Sequence, residues 1–242
     1  EEPTPTPRSI YHTLWEAISN GATTPTQIGG VAGLDAANVT YYLNLMRSAG
    51  FIQHDHDLLL QRRPVITLAD PIVRFHQLVI RPNLEDFQLR LAGEVLPKMT
   101  ATISSLILGP QFEDLARKWV KRYASELGVE KSGSVGTTVV ACREHRGHQV
   151  DVIALDQSSK PRDKGGRIAL IGEAKATNRP RSREDIERLS HIRDLLNREG
   201  WDAASARLAL FSRTGFRTDL KMGADALLID LEMMYGRPPV GG

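Results

Sequence analysis

The chain has 242 residues and one cysteine, Cys142, so an internal disulfide is excluded and stability must come from packing. No apolar run approaches the roughly 18 residues needed to span a bilayer, and no signal-peptide pattern opens the sequence. Together these absences predict a cytoplasmic protein with no membrane partner. An excess of one charge is missing too: 31 Lys+Arg stand against 29 Asp+Glu, which excludes a histone-like or polybasic protein. Internal repeats and long low-complexity tracts are absent. So is a G-x-x-x-x-G-K-[ST] sequence, and the chain cannot hold a nucleotide by that device. What is present, at 41% hydrophobic residues, suffices for the cores of one or two domains.

Net charge hides an asymmetry. Residues 1–108 carry 8 basic and 10 acidic side chains, whereas residues 109–242 carry 23 and 19. The excess concentrates between Arg143 and Arg183, with 10 basic residues against 5 acidic. Such a stretch suits a polyanion such as nucleic acid. A solvated Lys/Arg-rich loop has the same composition, so charge alone does not decide between them.

Periodicity marks out an amino-terminal unit over residues 1–70. Ser9 is placed to cap a helix to about Ser19, with Ile10, Leu14, Ala17 and Ile18 on one face. Thr24-Pro25-Thr26 starts a short helix over Gln27 to Ala32, stopped by Gly33. Asp35 caps a third helix whose Val39, Leu43 and Met46 form a buried stripe, ending at Gly50. Phe51-Ile52 and Val65 to Leu68 read as two strands around a polar tip. The passage Tyr42-Leu43-x-x-Met46-x-x-x-Gly50-Phe51-Ile52 resembles the recognition-helix-to-wing step of winged helix-turn-helix domains. On DNA, the resemblance would put Asn38, Thr40, Tyr41, Asn44 and Arg47 toward the groove. The same fold also serves as a protein-docking module.

Residues 71–108 read as a helical connector, with a short helix from Pro71 to Val79 broken at Arg81-Pro82-Asn83. Leu84 to Leu108 follows, interrupted at Pro97. From residue 109 to 242 the rhythm changes. An amphipathic helix over Gln111 to Leu127 precedes strands at Val135 to Arg143, Gln149 to Leu155 and Arg167 to Ala176. A charged helix spans Arg183 to Arg198, followed by Arg207 to Phe211, a helical turn near Thr218 to Met222, and Ala226 to Leu231. This order predicts an α/β domain, a mixed sheet flanked by helices, behind the smaller amino-terminal helical unit.

The chemistry lies in acidic residues placed where strands should be apolar. Asp151 interrupts Val150 to Leu155, and Glu173 and Lys175 end the strand Ile168-Ala169-Leu170-Ile171-Gly172. Alternation puts Glu173 and Lys175 on one face, where Asp151 joins them if the strands pair. Two neighbouring carboxylates repel and resist burial, and a divalent cation resolves both problems. Hard oxygen donors point to Mg2+ or Mn2+.

Asp151, twenty-one intervening residues, then Glu173-Ala174-Lys175 resembles the core of the PD-(D/E)XK nucleases, over residues 109–236. The order of helix and strands agrees, although no proline precedes Asp151. The resemblance implies that Asp151, Glu173 and the Ala174 carbonyl bind the metal and that Lys175 orients or activates water. Glu113, on the leading helix, would complete the catalytic and metal site. Arg143, Arg146, Lys160, Arg162, Lys164 and Arg167 would hold flanking phosphates. The succession of a winged helix and this core is similar to the carboxy-terminal half of certain archaeal and bacterial AAA/STAND-like ATPases. This implies an amino-terminal P-loop ATPase partner domain outside this chain, of which the chain would be the excised carboxy-terminal piece. A homo-oligomer stays open, with no interface fixed by the sequence.

Two functions follow, of different classes: a metal-dependent DNA endonuclease, or a nuclease-like module that binds DNA or regulates without cutting. Other conspicuous residues have plainer readings. His54-Asp55-His56-Asp57 reads as a solvated turn, His145 and His148 as surface residues, and Cys142 as a small buried hydrophobe. Trp15, Trp119 and Trp201 read as core anchors, Gly165-Gly166 as a hairpin turn, and Ser212-Arg213 as polar groups at the site edge.

Overall fold

The chain breaks where its local chemistry demands. Thr24 accepts from the Gln27 amide at 3.3 Å while the Gln27 side chain accepts from the Thr24 amide at 3.2 Å, a reciprocal cap that starts one helix. That helix ends at Gly33, whose φ of 63° is left-handed backbone open to glycine. Asp35 then starts the next, accepting from the Asn38 amide at 2.9 Å. The computed structural model describes residues 7–62, 64–129, 132–142, 147–220 and 226–236. It divides into two units: Glu1–His56 with Arg63–Ile107, and Asp57–Arg62 with Leu108–Gly242.

In the first unit, α1 (Pro7–Ser19), α2 (Pro25–Ala32) and α3 (Ala36–Ser48) precede an antiparallel hairpin of β1 (Ile52–Asp55) and β2 (Val65–Leu68). Leu14, Ile28, Val39, Leu43 and Met46 are buried together with Ile52, Ile66 and Leu68 of the hairpin. Ser9 lies inside α1, which begins at Pro7 and not after a Ser9 cap. Short helices α4 (Pro71–Phe75), α5 (Leu84–Gln88), α6 (Ala92–Lys98) and α7 (Thr100–Thr102) follow within this unit. Hence 71–108 is not a separate connector. Pro97 sits in the last turn of α6, which ends at Lys98 with a break at Met99, and a further interruption falls near Arg90, whose φ is 62°.

The second unit is built on α8 (Gly109–Tyr123), β3 (Ser132–Val140), β4 (His148–Asp156), β5 (Ile168–Lys175), α9 (Arg183–Arg198), β6 (Arg207–Ser212), β7 (Ala226–Asp230) and α10 (Leu231–Tyr235). Its five strands lie in the order β3-β4-β5-β6-β7. The first three are antiparallel, and β5, β6 and β7 run parallel. This is a mixed sheet with a helix on each face. Phe112, Ala116, Trp119 and Val120 of α8 pack with Val152, Ala154, Leu170 and Ala174. Leu189, Ile192 and Leu196 of α9 pack on the opposite face with Ile153, Leu155 and Ile171. Trp119 meets the fully buried Phe211 edge-on at 5.8 Å, and its indole donates to the Met233 carbonyl at 3.2 Å. Among the described residues, no helix is long and apolar enough to cross a membrane.

The segment between the two hairpin strands departs from the expected polar tip. Asp57–Arg62 belongs to the second unit, where Leu58 and Leu59 are buried in the core cluster on the α9 face. Asp57 is itself buried. Its Oδ1 accepts from the Leu59 and Leu60 amides at 2.9 Å each and from the Thr138 hydroxyl at 2.7 Å, and its Oδ2 pairs with Arg62. The helical turn expected near Thr218 to Met222 is a non-helical turn at Thr218 and Asp219, with Lys221 and Met222 outside the described residues.

Candidate active site

Asp151 on β4 and Glu173 on β5 sit where the two strands begin to part. The register pairs Val152 with Gly172, so the next step of the antiparallel ladder sets Asp151 against Glu173 on one face. Both are nearly inaccessible, Asp151 at 3% and Glu173 at 5% exposure. Such burial is costly for charged groups unless they are matched, and here each is. Lys175 Nζ lies 2.9 Å from Asp151 Oδ2 and 3.1 Å from Glu173 Oε1, bridging the pair. The other oxygen of Glu173 pairs with Arg188, delivered from α9.

The backbone completes the arrangement. The Ala174 amide donates to Asp151 Oδ2 at 3.1 Å. In an extended strand the N–H and C=O of one residue point the same way, so the Ala174 carbonyl faces the strand edge that carries the Asp151 carboxylate. Arg117 of α8 donates to the Asp151 carbonyl at 3.0 Å, anchoring β4 from behind. Burial alone pulls the Lys175 pKa down. The charges of Asp151 and Glu173 and hydrogen bonds to both outweigh it, and the net shift is upward. Lys175 is therefore held as an ammonium.

The expected donors separate into those gathered here and those that are not. Asp151, Glu173, Ala174 and Lys175 converge. Glu113 is half-buried on α8, whose apolar side packs on the sheet face opposite α9, whereas Glu173 is paired from α9 by Arg188. Among the described residues no cluster of three close ligands contains Glu113, Asp151 and Glu173.

The basic residues also divide. Lys160, Arg162, Lys164 and Arg167 lie in the loop joining β4 to β5, at the far end of the hairpin from the carboxylates. Five strand residues, about 16 Å, separate Asp151 from the start of that loop. Arg162 and Arg167 are moreover tied down there, the Arg162 amide to the Leu58 carbonyl at 3.0 Å and the Arg167 amide to Ser159 Oγ at 2.8 Å. Arg143 and Arg146 lie outside the described residues, as does His145. Among the described residues, exposed cations at the carboxylate end include Arg179, in the loop after β5, and Arg183, the first residue of α9. Sequence reading passed over these two, and over Arg117 and Arg188; their place in the basic stretch up to Arg183 was the only available signal for Arg179 and Arg183.

Ser212 lies opposite Lys175 in the β5–β6 ladder, fully buried, and its hydroxyl donates to the Gly215 carbonyl at 2.7 Å. In the first unit Asn38, Thr40, Tyr41, Asn44 and Arg47 all lie on the exposed face of α3. Four are tied to neighbours: Asn38 Nδ2 donates to Asp35 at 2.7 Å, the Thr40 hydroxyl donates to the Ala36 carbonyl at 2.7 Å, and Arg47 donates to Asn44 Oδ1 at 3.3 Å. Comparison with family models, with curated proteins and with solved structures returned no match.

The donor chemistry suits a hard divalent cation. Two buried carboxylates already share one cation, the Lys175 ammonium, and a backbone carbonyl faces the same strand edge.

Proposed function

We propose that the second unit is a PD-(D/E)XK-type nuclease domain that hydrolyses phosphodiester bonds of nucleic acid, DNA first among the candidates. The observation carrying this reading is the convergence of buried Asp151 and Glu173 on Lys175 at the parting ends of β4 and β5. Asp151, Glu173 and the Ala174 carbonyl would hold Mg2+ or Mn2+. A bound ion of that kind polarises the phosphoryl group and lowers the pKa of coordinated water.

The chain's own groups supply the remainder. Lys175, kept protonated by its partners, places positive charge beside the reacting phosphoryl oxygens and orients water by donating to it. Arg188 holds Glu173 in one rotamer and Arg117 fixes the backbone at Asp151, so the carboxylates are set before substrate arrives. Arg179 and Arg183 are among the exposed cations positioned to meet flanking phosphates. Water adds across the P–O3′ bond: its oxygen joins phosphorus to leave a 5′-phosphate, and a proton ends on the 3′-hydroxyl.

For the first unit we propose a winged helix-turn-helix, three helices followed by a hairpin, with the exposed face of α3 as its DNA- or protein-docking side. An ATPase partner domain belongs to the same reading. One observation favours the rival, a non-cutting module. Lys175 and Arg188 already balance the charge of Asp151 and Glu173, so the cluster is also self-sufficient as an ion-pair network. Cleavage separates the two: divalent-ion-dependent strand scission that Lys175→Ala abolishes supports the nuclease. A wild-type chain that binds DNA and leaves it intact under the same conditions supports the rival.

A further inference from the structure

A second group of ligating side chains lies apart from the carboxylates. Cys142 lies two residues past the end of β3, His148 opens β4, and His191 is on α9. One ligand atom from each falls within 4.8 Å of the other two, and all three residues are half-buried. Cys142 Sγ stands 3.9 Å from His191 Nε2. The two imidazoles meet nearly perpendicular, at 83° and 5.5 Å between ring centres. Three separate elements thus bring one sulfur and two imidazoles to one place.

We infer that Cys142, His148 and His191 form a binding site for a Zn2+-class transition metal. The inference does not depend on the nuclease reading, because its donors are of the opposite chemistry. A thiolate with two imidazoles selects Zn2+ or Co2+ and rejects Mg2+, which prefers oxygen. Two donors on one tetrahedral ion, at about 2.0 Å for nitrogen and about 2.3 Å for sulfur, stand about 3.5 Å apart. The present 3.9 Å between Cys142 and His191 is close to that, and small rotations of χ1 and χ2 close the rest. Three protein ligands leave a fourth position to water. As the sulfur–metal bond forms, the Cys142 thiol gives its proton to solvent, so binding strengthens with rising pH.

The placement gives the ion a structural consequence. It would tie the end of the β3–β4 hairpin to α9, and His191 lies one helical turn from Arg188, the partner of Glu173. A metal at Cys142, His148 and His191 therefore fixes the stretch of α9 that braces the carboxylate pair.

Titration of the chelator-stripped protein with Co2+, followed by absorption, tests this directly. The expected result is one Co2+ per chain, with a thiolate-to-cobalt charge-transfer band and the intense visible bands of a tetrahedral ion. Zn2+ removes these bands and a large excess of Mg2+ does not. In parallel, Zn2+ raises the melting temperature of the wild-type chain and chelator reverses the rise. Cys142→Ser, His148→Gln and His191→Gln each lose the bands and the Zn2+-dependent rise. The metal-free melting temperature of each variant reports whether it is folded. A wild-type chain with no thiolate band overturns the inference, as do bands that persist unchanged in folded Cys142→Ser or His191→Gln.

Discussion

Arg188 of α9 pairs with Glu173 of β5, and its second terminal nitrogen donates to the Gln149 carbonyl of β4 at 3.4 Å. One guanidinium thus spans the two strands at the point where they part. Arg188→Ala leaves Glu173 buried with only Lys175 as partner. Breaking a fully buried pair costs about 3–5 kcal/mol, and partial exposure of Arg188 lowers that to about 1–2 kcal/mol. Urea denaturation checks the value, and a stability equal to wild type contradicts the bracing role.

Lys175 gives a pH signature. Its pKa is raised in the folded chain, burial notwithstanding, because Asp151 and Glu173 hold the ammonium. A raised pKa means stability that is fully present below the unfolded lysine value, about 10.4, and lost as pH climbs through the folded value. The stability gap between wild type and Lys175→Met is therefore constant through neutral pH and narrows on the alkaline side. Denaturation curves at a series of pH values measure it. A gap that stays constant, or widens, across the alkaline range refutes the assignment.

Asp57 carries a structural prediction. Asp57→Ala removes the acceptor for two backbone amides and the Thr138 hydroxyl in a buried setting. The expected loss is about 2–3 kcal/mol, the penalty of unmatched buried donors. Asp57→Asn, which keeps an acceptor oxygen, falls between wild type and Asp57→Ala by thermal or chemical denaturation. A loss within about 0.5 kcal/mol, the range of ordinary surface changes, contradicts this account.

These residues show what the sequence reveals and what it hides. The β4 and β5 runs were legible because a charged residue within an apolar strand is costly, which makes Asp151 and Glu173 conspicuous. The helix from Arg183 to Arg198 was legible as a long charged run, with the bounds the structure has. Arg188 and Arg117 were not, because each is one of many arginines on an amphipathic helix and only the packed fold says what it reaches. Lys160 and Lys164 misled for a related reason. They are near Asp151 and Glu173 in sequence, but an antiparallel hairpin carries its loop away from the open ends of its strands. Asp57 was hidden by its polar neighbours His54, Asp55 and His56, although the three leucines after it were a signal of burial. Cys142, His148 and His191 lie up to 49 residues apart and converge only once α9 packs on the sheet.

Cleavage of supercoiled and linear DNA with Mg2+ or Mn2+, by wild type beside Asp151→Asn and Lys175→Ala, tests the central claim. The account predicts scission by wild type that chelator stops and that each substitution abolishes, with products carrying 5′-phosphates. Equal scission by all three chains would assign the cutting to something other than this site. No scission by a wild-type chain that also fails to bind either ion would contradict the account and leave Asp151, Glu173 and Lys175 as a structural ion-pair network.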